Sequence, residues 1–159
     1  MKKRLITLRS VILVFLTHNI ALPLLKKLRK PNSFLHTKDT LKGFGEGTLG
    51  KDLYWFLENR NLPLLNHYAR HDLKHILLEY DTTDEGEVCL QSFMLGNGRI
   101  SFPVLATVVY GLMTMPEHWK QIRIAYNRGR QAHSIHNWAW NEIVHQPTLA
   151  LRNKIFIKF

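Results

Sequence analysis

The chain has one cysteine, Cys89, among 159 residues. A single thiol cannot form a disulfide within the chain and cannot build a thiolate zinc site, so the sequence excludes both kinds of framework. Cys89 lies in an apolar stretch, which predicts a packed and unreactive thiol. These features favour a globular protein in a reducing compartment.

Acidic residues are scarce, with 12 Asp and Glu against 22 Lys and Arg, and the formal net charge is +10. The charge is uneven: residues 1–30 carry eight bases and no acid, residues 31–116 have a net charge of −3, and residues 117–159 have +5. A nucleic-acid-binding domain is expected to spread its bases over the folded surface. We therefore expect no nucleic-acid partner.

An apolar run of about 20 residues, which a transmembrane helix needs, is also missing. The best candidate, within residues 1–30, is interrupted by polar residues, and no small-residue cleavage site of a secretory signal follows it. We predict a basic amphipathic helix over Leu5–Leu28, bent or broken at Pro23. Such a helix suits the surface of an anionic membrane. A first helix packed on the core is the other interpretation.

Residues 31–159 are predicted to form one all-α domain, a single helical bundle, because the apolar pattern is helical nearly throughout. Residues 31–50 are rich in Gly and Pro and are predicted to be mostly loop. The predicted helices are Asp52–Asn59, Pro63–Tyr80, Glu85–Met94, 103–114, Pro116–Ala132 and Thr148–Ile157.

One constellation predicts a metal site. On a helix His71, Asp72 and His75 point into one arc, and histidines four residues apart are neighbours that can bind a single ion. If residues 81–84 form the turn of a helical hairpin, Glu87 lies at the height of His75 on the next helix. These donors suit zinc, iron or manganese better than calcium.

Other interpretations of these residues remain open. Asp84-Glu85-Gly86-Glu87 could be a capping box in which the Glu87 side chain returns to the backbone of Asp84. Asp72 could pair with Arg70 or Lys74.

Two enzyme classes share part of the pattern. The zinc-peptidase helix is His-Glu-x-x-His, and Asp72 stands where its general base would be. Metal-dependent phosphohydrolases of the HD type would use His67 as a further ligand, but their later aspartate has no clear counterpart beyond Asp81 or Asp84.

Two basic or glycine-rich features could bind anions. Arg128 and Arg130 could meet a carboxylate or a phosphate, although solvated surface arginines are the alternative. The amides of the Gly43–Gly50 loop could meet a lipid phosphate at a helix start, although a plain turn is the alternative.

The chain resembles the Coq-four family of ubiquinone (coenzyme Q) biosynthesis proteins over roughly residues 42–157. The segments that carry the resemblance are His71-Asp72-x-x-His75 with Gly86-Glu87, Gly47-Thr48-Leu49-Gly50 followed by Tyr54 and Phe56, and Tyr126-x-Arg128-Gly129-x-x-Ala132 followed by Trp138. The chain departs from the family at Leu78-Glu79, where a Thr-Gly pair is common.

The resemblance implies an all-α fold and a divalent metal, most often taken as zinc, with His71, Asp72, His75 and Glu87 as ligands. It also implies an isoprenoid-binding cavity and peripheral attachment to the inner, cytoplasmic face of a membrane, or to the matrix side of a mitochondrial membrane in a eukaryote. A homodimer is a further expectation.

The activity implied is removal of the ring carboxylate of a prenylated para-hydroxybenzoate precursor and hydroxylation at that carbon. The alternative is a lipid-binding scaffold for other quinone biosynthesis proteins. Zinc has no redox chemistry, so an oxidative step would need iron, manganese or an oxidisable substrate with oxygen.

Overall fold

A computed structural model describes residues 34–156. Within these residues all regular secondary structure is helical, which confirms the all-α prediction. The predicted N-terminal helix over residues 1–30 lies outside the described residues. The helices are α1 (Lys38–Lys42), α2 (Leu49–Glu58), α3 (Ala69–Leu78), α4 (Asp84–Gly96), α5 (Phe102–Thr114), α6 (Trp119–Gln131), α7 (Trp140–Ile143) and α8 (Thr148–Phe156), with a 3-10 turn at Pro116–His118.

Helix α4 lies at the centre of the fold and buries side chains on several sides. Leu90, Phe93 and Met94 enter the main core, which α2, α3, α7 and α8 complete. Val88 and Cys89 enter a smaller cluster with residues from the end of α5 and from α6. Each large apolar side chain that is fully buried contributes roughly 1.5–3 kcal/mol, so both clusters fix α4 in place.

Cys89 belongs to the smaller cluster and is 5% exposed. Burial, together with the charges of Glu85 and Asp81, raises the pKa of its thiol to about 11. The prediction of a packed thiol is therefore confirmed, and the raised pKa disfavours the reactive thiolate form.

Helix α3 begins at Ala69, six residues later than predicted. Asn61 adopts a left-handed conformation with φ 52°, and the chain over residues 62–65 has no regular structure. The first helical turn forms where the backbone N–H groups of Tyr68 and Ala69 both donate to the Leu65 carbonyl. Helix α3 ends at Leu78 because Glu79 is left-handed, with φ 60°.

The start of α2 is attached to the C-terminal part of the chain. The N–H of Leu49 donates to the Gln146 carbonyl and that of Gly50 to Val144, while the Thr48 hydroxyl accepts from the N–H of Lys51. These amides already have partners within the protein, which supports the interpretation of the loop as a plain turn rather than an anion site. The predicted loop also contains α1, and α2 begins three residues earlier than predicted.

Helices α4 and α6 approach closely because two positions carry no side chain. A Cβ atom at Gly129 would lie 2.1 Å from the Phe93 carbonyl oxygen, and one at Gly96 would lie 2.1 Å from that of Tyr126. The side chain of Asn97 also donates to the Gly129 carbonyl, at 3.1 Å. This contact brings Arg128 against the end of α3.

No helix formed by residues 34–156 is both long enough and apolar enough to cross a lipid bilayer.

Candidate metal centre

His71 and His75 lie one turn apart on α3, and their ring centroids are 4.6 Å apart. Glu87, in the first turn of α4, faces both rings. Its Oε2 lies 3.1 Å from Nε2 of His71, and its Oε1 lies 3.0 Å from Nε2 of His75. One donor atom from each residue falls within 4.8 Å of the others, a spacing that no other group of three His, Cys, Asp or Glu residues reaches in the described part of the chain.

The N-terminus of α4 determines where Glu87 points. The N-cap is Thr83, whose hydroxyl accepts from the N–H of Gly86, and the Asp81 carboxylate holds Thr83 in turn. The capping-box interpretation, with Asp84 as the cap, is therefore wrong. Because Thr83 satisfies the helix start, the Glu87 side chain is available to the two histidines.

Gly86 allows the loop before α4 to fold back on the helix. A Cβ atom at this position would lie 2.1 Å from a carboxylate oxygen of Asp81 and 2.3 Å from its carbonyl oxygen. Any larger residue would displace the loop. Glycine at this position thus places the neighbouring Glu87 at the height of His75.

His75 is held in one tautomer by the backbone. Its Nδ1 lies 3.0 Å from the carbonyl oxygen of Tyr80, which can only accept a hydrogen bond. Nδ1 therefore carries a proton, and Nε2 is the ring nitrogen that is directed towards Glu87. A hydrogen bond of this kind from the far ring nitrogen is the usual support of a histidine that binds a metal.

His71 is oriented by a side chain instead. Its Nδ1 lies 3.7 Å from Oδ1 of Asp72, on the opposite edge of the ring from the nitrogen that faces Glu87. Asp72 does not belong to the group of three closely spaced donors. The structure thus brings together three of the four predicted ligands, and Asp72 as a ligand stays a prediction.

The metal-free cluster holds a proton between its members. Burial lowers the pKa of His71, but the Asp72 carboxylate 3.7 Å from its Nδ1, the hydrogen bond to Glu87 and the charge on Glu87 outweigh burial and raise it to about 9. Burial raises the pKa of Glu87, yet the hydrogen bonds to His71 and His75 outweigh that effect and lower it to about 2. An anionic carboxylate between two imidazoles attracts a cation, and a proton occupies that role without a metal.

These residues fit a divalent metal. Two imidazole nitrogens and one carboxylate form a donor set found with zinc and with non-haem iron. The side chain of His75 is 1% exposed, whereas those of His71 and Glu87 are each 29% exposed. The cluster is therefore anchored in the protein on one side and accessible from solvent on the other.

Sequence reasoning missed two neighbours of the cluster. The ring centroid of Tyr68 lies 6.5 Å from that of His71, and burial together with the charges of Asp72 and Glu87 raises the pKa of its phenol, which keeps the hydroxyl protonated. Its position three residues before His71 on the same helical face was the available signal. The carbonyl of Tyr80 gives no signal in sequence, because every residue has one.

The remaining predicted site residues lie elsewhere. Arg128 donates to the carbonyl of Leu78, and Arg130 is exposed on α6. His67, the further ligand of the phosphohydrolase interpretation, is exposed, and Asp81 is bonded to Thr83. Neither His67 nor Asp81 belongs to the three-residue cluster.

Comparison with known proteins identifies a family. The model of the coenzyme Q (ubiquinone) biosynthesis protein Coq4 family matches residues 64–159. The fold is similar to the crystal structure of a protein from Nostoc punctiforme PCC 73102 described as a ubiquinone biosynthesis protein, with a TM-score of 0.64, 19% identity, and coverage of 95% of this chain and 80% of that one. No curated protein sequence matches the chain. The family match includes all three residues of the cluster, and the chain belongs to the coenzyme Q (ubiquinone) biosynthesis protein Coq4 family.

Proposed function

We propose that the protein is a metal-dependent component of ubiquinone biosynthesis that acts on the ring of a prenylated para-hydroxybenzoate precursor. One observation carries the proposal. The Nε2 atoms of His71 and His75 each lie within hydrogen-bond distance of one oxygen of the Glu87 carboxylate, and the cluster is accessible from solvent. Family membership supports the pathway. The reaction proposed is an oxidative decarboxylation: the ring carboxylate leaves as carbon dioxide, a hydroxyl takes its place on that carbon, and dioxygen accepts the two electrons that the substrate loses.

The roles of the residues follow from their positions. His71, His75 and Glu87 would hold the ion, with zinc as the first candidate if dioxygen oxidises the substrate directly, and iron or manganese as the alternatives if the ion itself carries electrons. The ion would polarise an oxygen of the substrate as a Lewis acid. The hydroxyl of Tyr68 can donate a hydrogen bond to a ring carboxylate, because it remains protonated at neutral pH.

The test is whether the cluster is needed for the ring reaction. In a host that lacks its own protein of this family, the wild type and His67→Ala should restore quinone, because His67 is exposed and outside the cluster. His71→Ala should lower quinone by at least about tenfold, since one donor is lost. The precursor that retains its ring carboxylate should accumulate. Wild-type quinone output from His71→Ala would instead support the scaffold role.

We further propose that α5 contacts an anionic membrane. Four of its exposed apolar residues share one face with spacings of three, four and three residues, and no residue of this helix is charged. The exposed stripe is Phe102, Leu105, Val109 and Leu112. Beside it the indole N–H of Trp119 donates to the Leu112 carbonyl, and Trp119 is 54% exposed. Helix α6 carries exposed bases and no acid. Anionic headgroups would pair with these bases while the apolar stripe meets the lipid.

Vesicle sedimentation of the full chain tests this surface. The wild type should bind anionic vesicles in preference to neutral ones and bind less in high salt. Val109→Glu should weaken binding by about tenfold or more, because a charge enters the apolar stripe. Leu149→Glu is the matched control, since Leu149 is 70% exposed on α8. A dimer that Val109→Glu dissociates, without any vesicle binding, would make the stripe a contact between two copies.

A further inference from the structure

Two arginines from different helices hold the C-terminal end of α3. Arg128 of α6 donates from Nη1 to the Leu78 carbonyl at 2.6 Å. Arg152 of α8 donates from Nη2 to the Ile76 carbonyl at 2.7 Å, and its Nη1 lies 2.7 Å from a carboxylate oxygen of Glu79. The last carbonyls of a helix lack partners within the helix and carry partial negative charge, so cationic donors stabilise them.

The chain that leaves this end returns to the metal cluster. Glu79 is left-handed, with φ 60°, and its N–H donates to the His75 carbonyl. The reversal at Glu79 places the Tyr80 carbonyl against Nδ1 of His75, at 3.0 Å. The position of that carbonyl therefore depends on how firmly the turn from Leu78 to Tyr80 is held.

Arg128 contacts both sides of this turn. Besides its hydrogen bond to Leu78, its guanidinium carbon lies 5.3 Å from the ring centroid of Tyr80 and 4.2 Å from that of Phe156. A planar guanidinium can stack on aromatic rings and donate in its plane at the same time, which a lysine ammonium cannot do. Leu78 precedes the left-handed residue Glu79 and Tyr80 follows it, so Arg128 holds the turn on both sides of Glu79.

We propose that Arg128 is a positioning residue for the metal centre: it holds the Leu78–Tyr80 turn so that the Tyr80 carbonyl accepts the Nδ1 proton of His75 and leaves Nε2 as the ring nitrogen that would bind the ion. The metal part of this inference rests on the proposed function. The tautomer part does not, because the hydrogen bond is present without metal. Arg128 touches neither donor atom and acts only through the turn.

The test compares Arg128→Met with Arg130→Met, a loss of the same charge at an exposed position two residues along the helix. In nitrogen-15 spectra of the metal-free protein at pH 8, the wild type and Arg130→Met should show a protonated Nδ1 on His75. Arg128→Met should show a mixture of tautomers. Its dissociation constant for zinc should be about tenfold larger than that of the wild type. This is the lower end of the effects seen when a metal ligand loses its hydrogen-bond partner.

The midpoint of thermal unfolding, measured together with the nitrogen-15 spectrum and the zinc affinity, identifies a purely structural role. A lower midpoint for Arg128→Met, with the wild-type tautomer and zinc affinity, would overturn the proposal. An unchanged spectrum and affinity would do so as well. If Arg128→Met does not fold, Arg128→Lys decides by the same measurements, since it keeps a donor but loses stacking. A wild type that shows the expected tautomer but binds no divalent metal would refute the proposed function alone.

Discussion

Replacing His75 with alanine is expected to leave the purified protein with little or no bound metal. The His75 side chain is 1% exposed, and its Nε2 lies 3.0 Å from Glu87. Losing an orienting partner of a ligand typically weakens metal binding 10–100-fold, so losing a ligand itself should weaken it by more than about a hundredfold. Elemental analysis of the purified protein and competition with a chelator would measure both quantities.

His67→Ala is the matched control, because His67 is exposed and outside the cluster. It should retain the wild-type metal content. Thermal unfolding in excess chelator separates ligation from folding, since removing a buried imidazole also leaves a cavity. Equal metal content in the wild type and both variants would show that the ion is bound elsewhere, and absence of metal from all three would contradict a metal centre.

The cluster could be predicted because helix geometry is rigid. Residues four apart on a helix are neighbours whatever the rest of the fold does, so His71 and His75 were paired by spacing alone. Glu87 required one more assumption, a turn over residues 81–84. The observed turn covers residues 79–83, and its second half follows from local chemistry, since Asp81 and Thr83 bond to each other and Thr83 caps α4.

Other features depend on contacts between segments distant in sequence. The role of Asp72 depends on which nitrogen of the His71 ring faces Glu87, and spacing cannot fix a ring orientation. The function of Arg128 depends on the close approach of α4 and α6 at Gly129. The amides at the start of α2 have partners only because a segment almost 100 residues later accepts their hydrogen bonds; the N–H of Gly50, for example, donates to the Val144 carbonyl.

Metal affinity is expected to rise about a hundredfold between pH 6 and pH 8. The pKa of His71 in the metal-free protein is about 9, so this ring is protonated over that range and must lose its proton to bind an ion. The pKa of Glu87 is about 2, so the carboxylate is already ionised and adds no pH dependence. Release of one proton makes the association constant rise about tenfold per pH unit, and the rise should level off above about pH 9.

The stability of the metal-free protein should change in the opposite direction. The pKa of His71 is raised from its usual 6.5, so its interactions with the carboxylates stabilise the fold fully below pH 6.5 and are lost as pH rises through about 9. Metal therefore stabilises the protein most at alkaline pH. Chelator competition at several pH values, with calorimetry in buffers of different ionisation enthalpy, would measure the affinity and the proton release. A metal affinity that does not change between pH 6 and pH 8 would contradict this prediction.

Asp72→Asn separates the two roles that sequence and geometry give to this residue. Asp72 lies beside Nδ1 of His71 and helps to raise its pKa. If Asp72 only orients the ring, the variant should release less than one proton at pH 7, its affinity profile should be shallower, and its affinity at pH 9 should be close to that of the wild type. If Asp72 is a fourth ligand, the affinity should fall at every pH, because a neutral amide is a much weaker donor than a carboxylate. Equal metal affinities of the wild type and Asp72→Asn at pH 9 would therefore indicate three protein ligands and an open position for substrate.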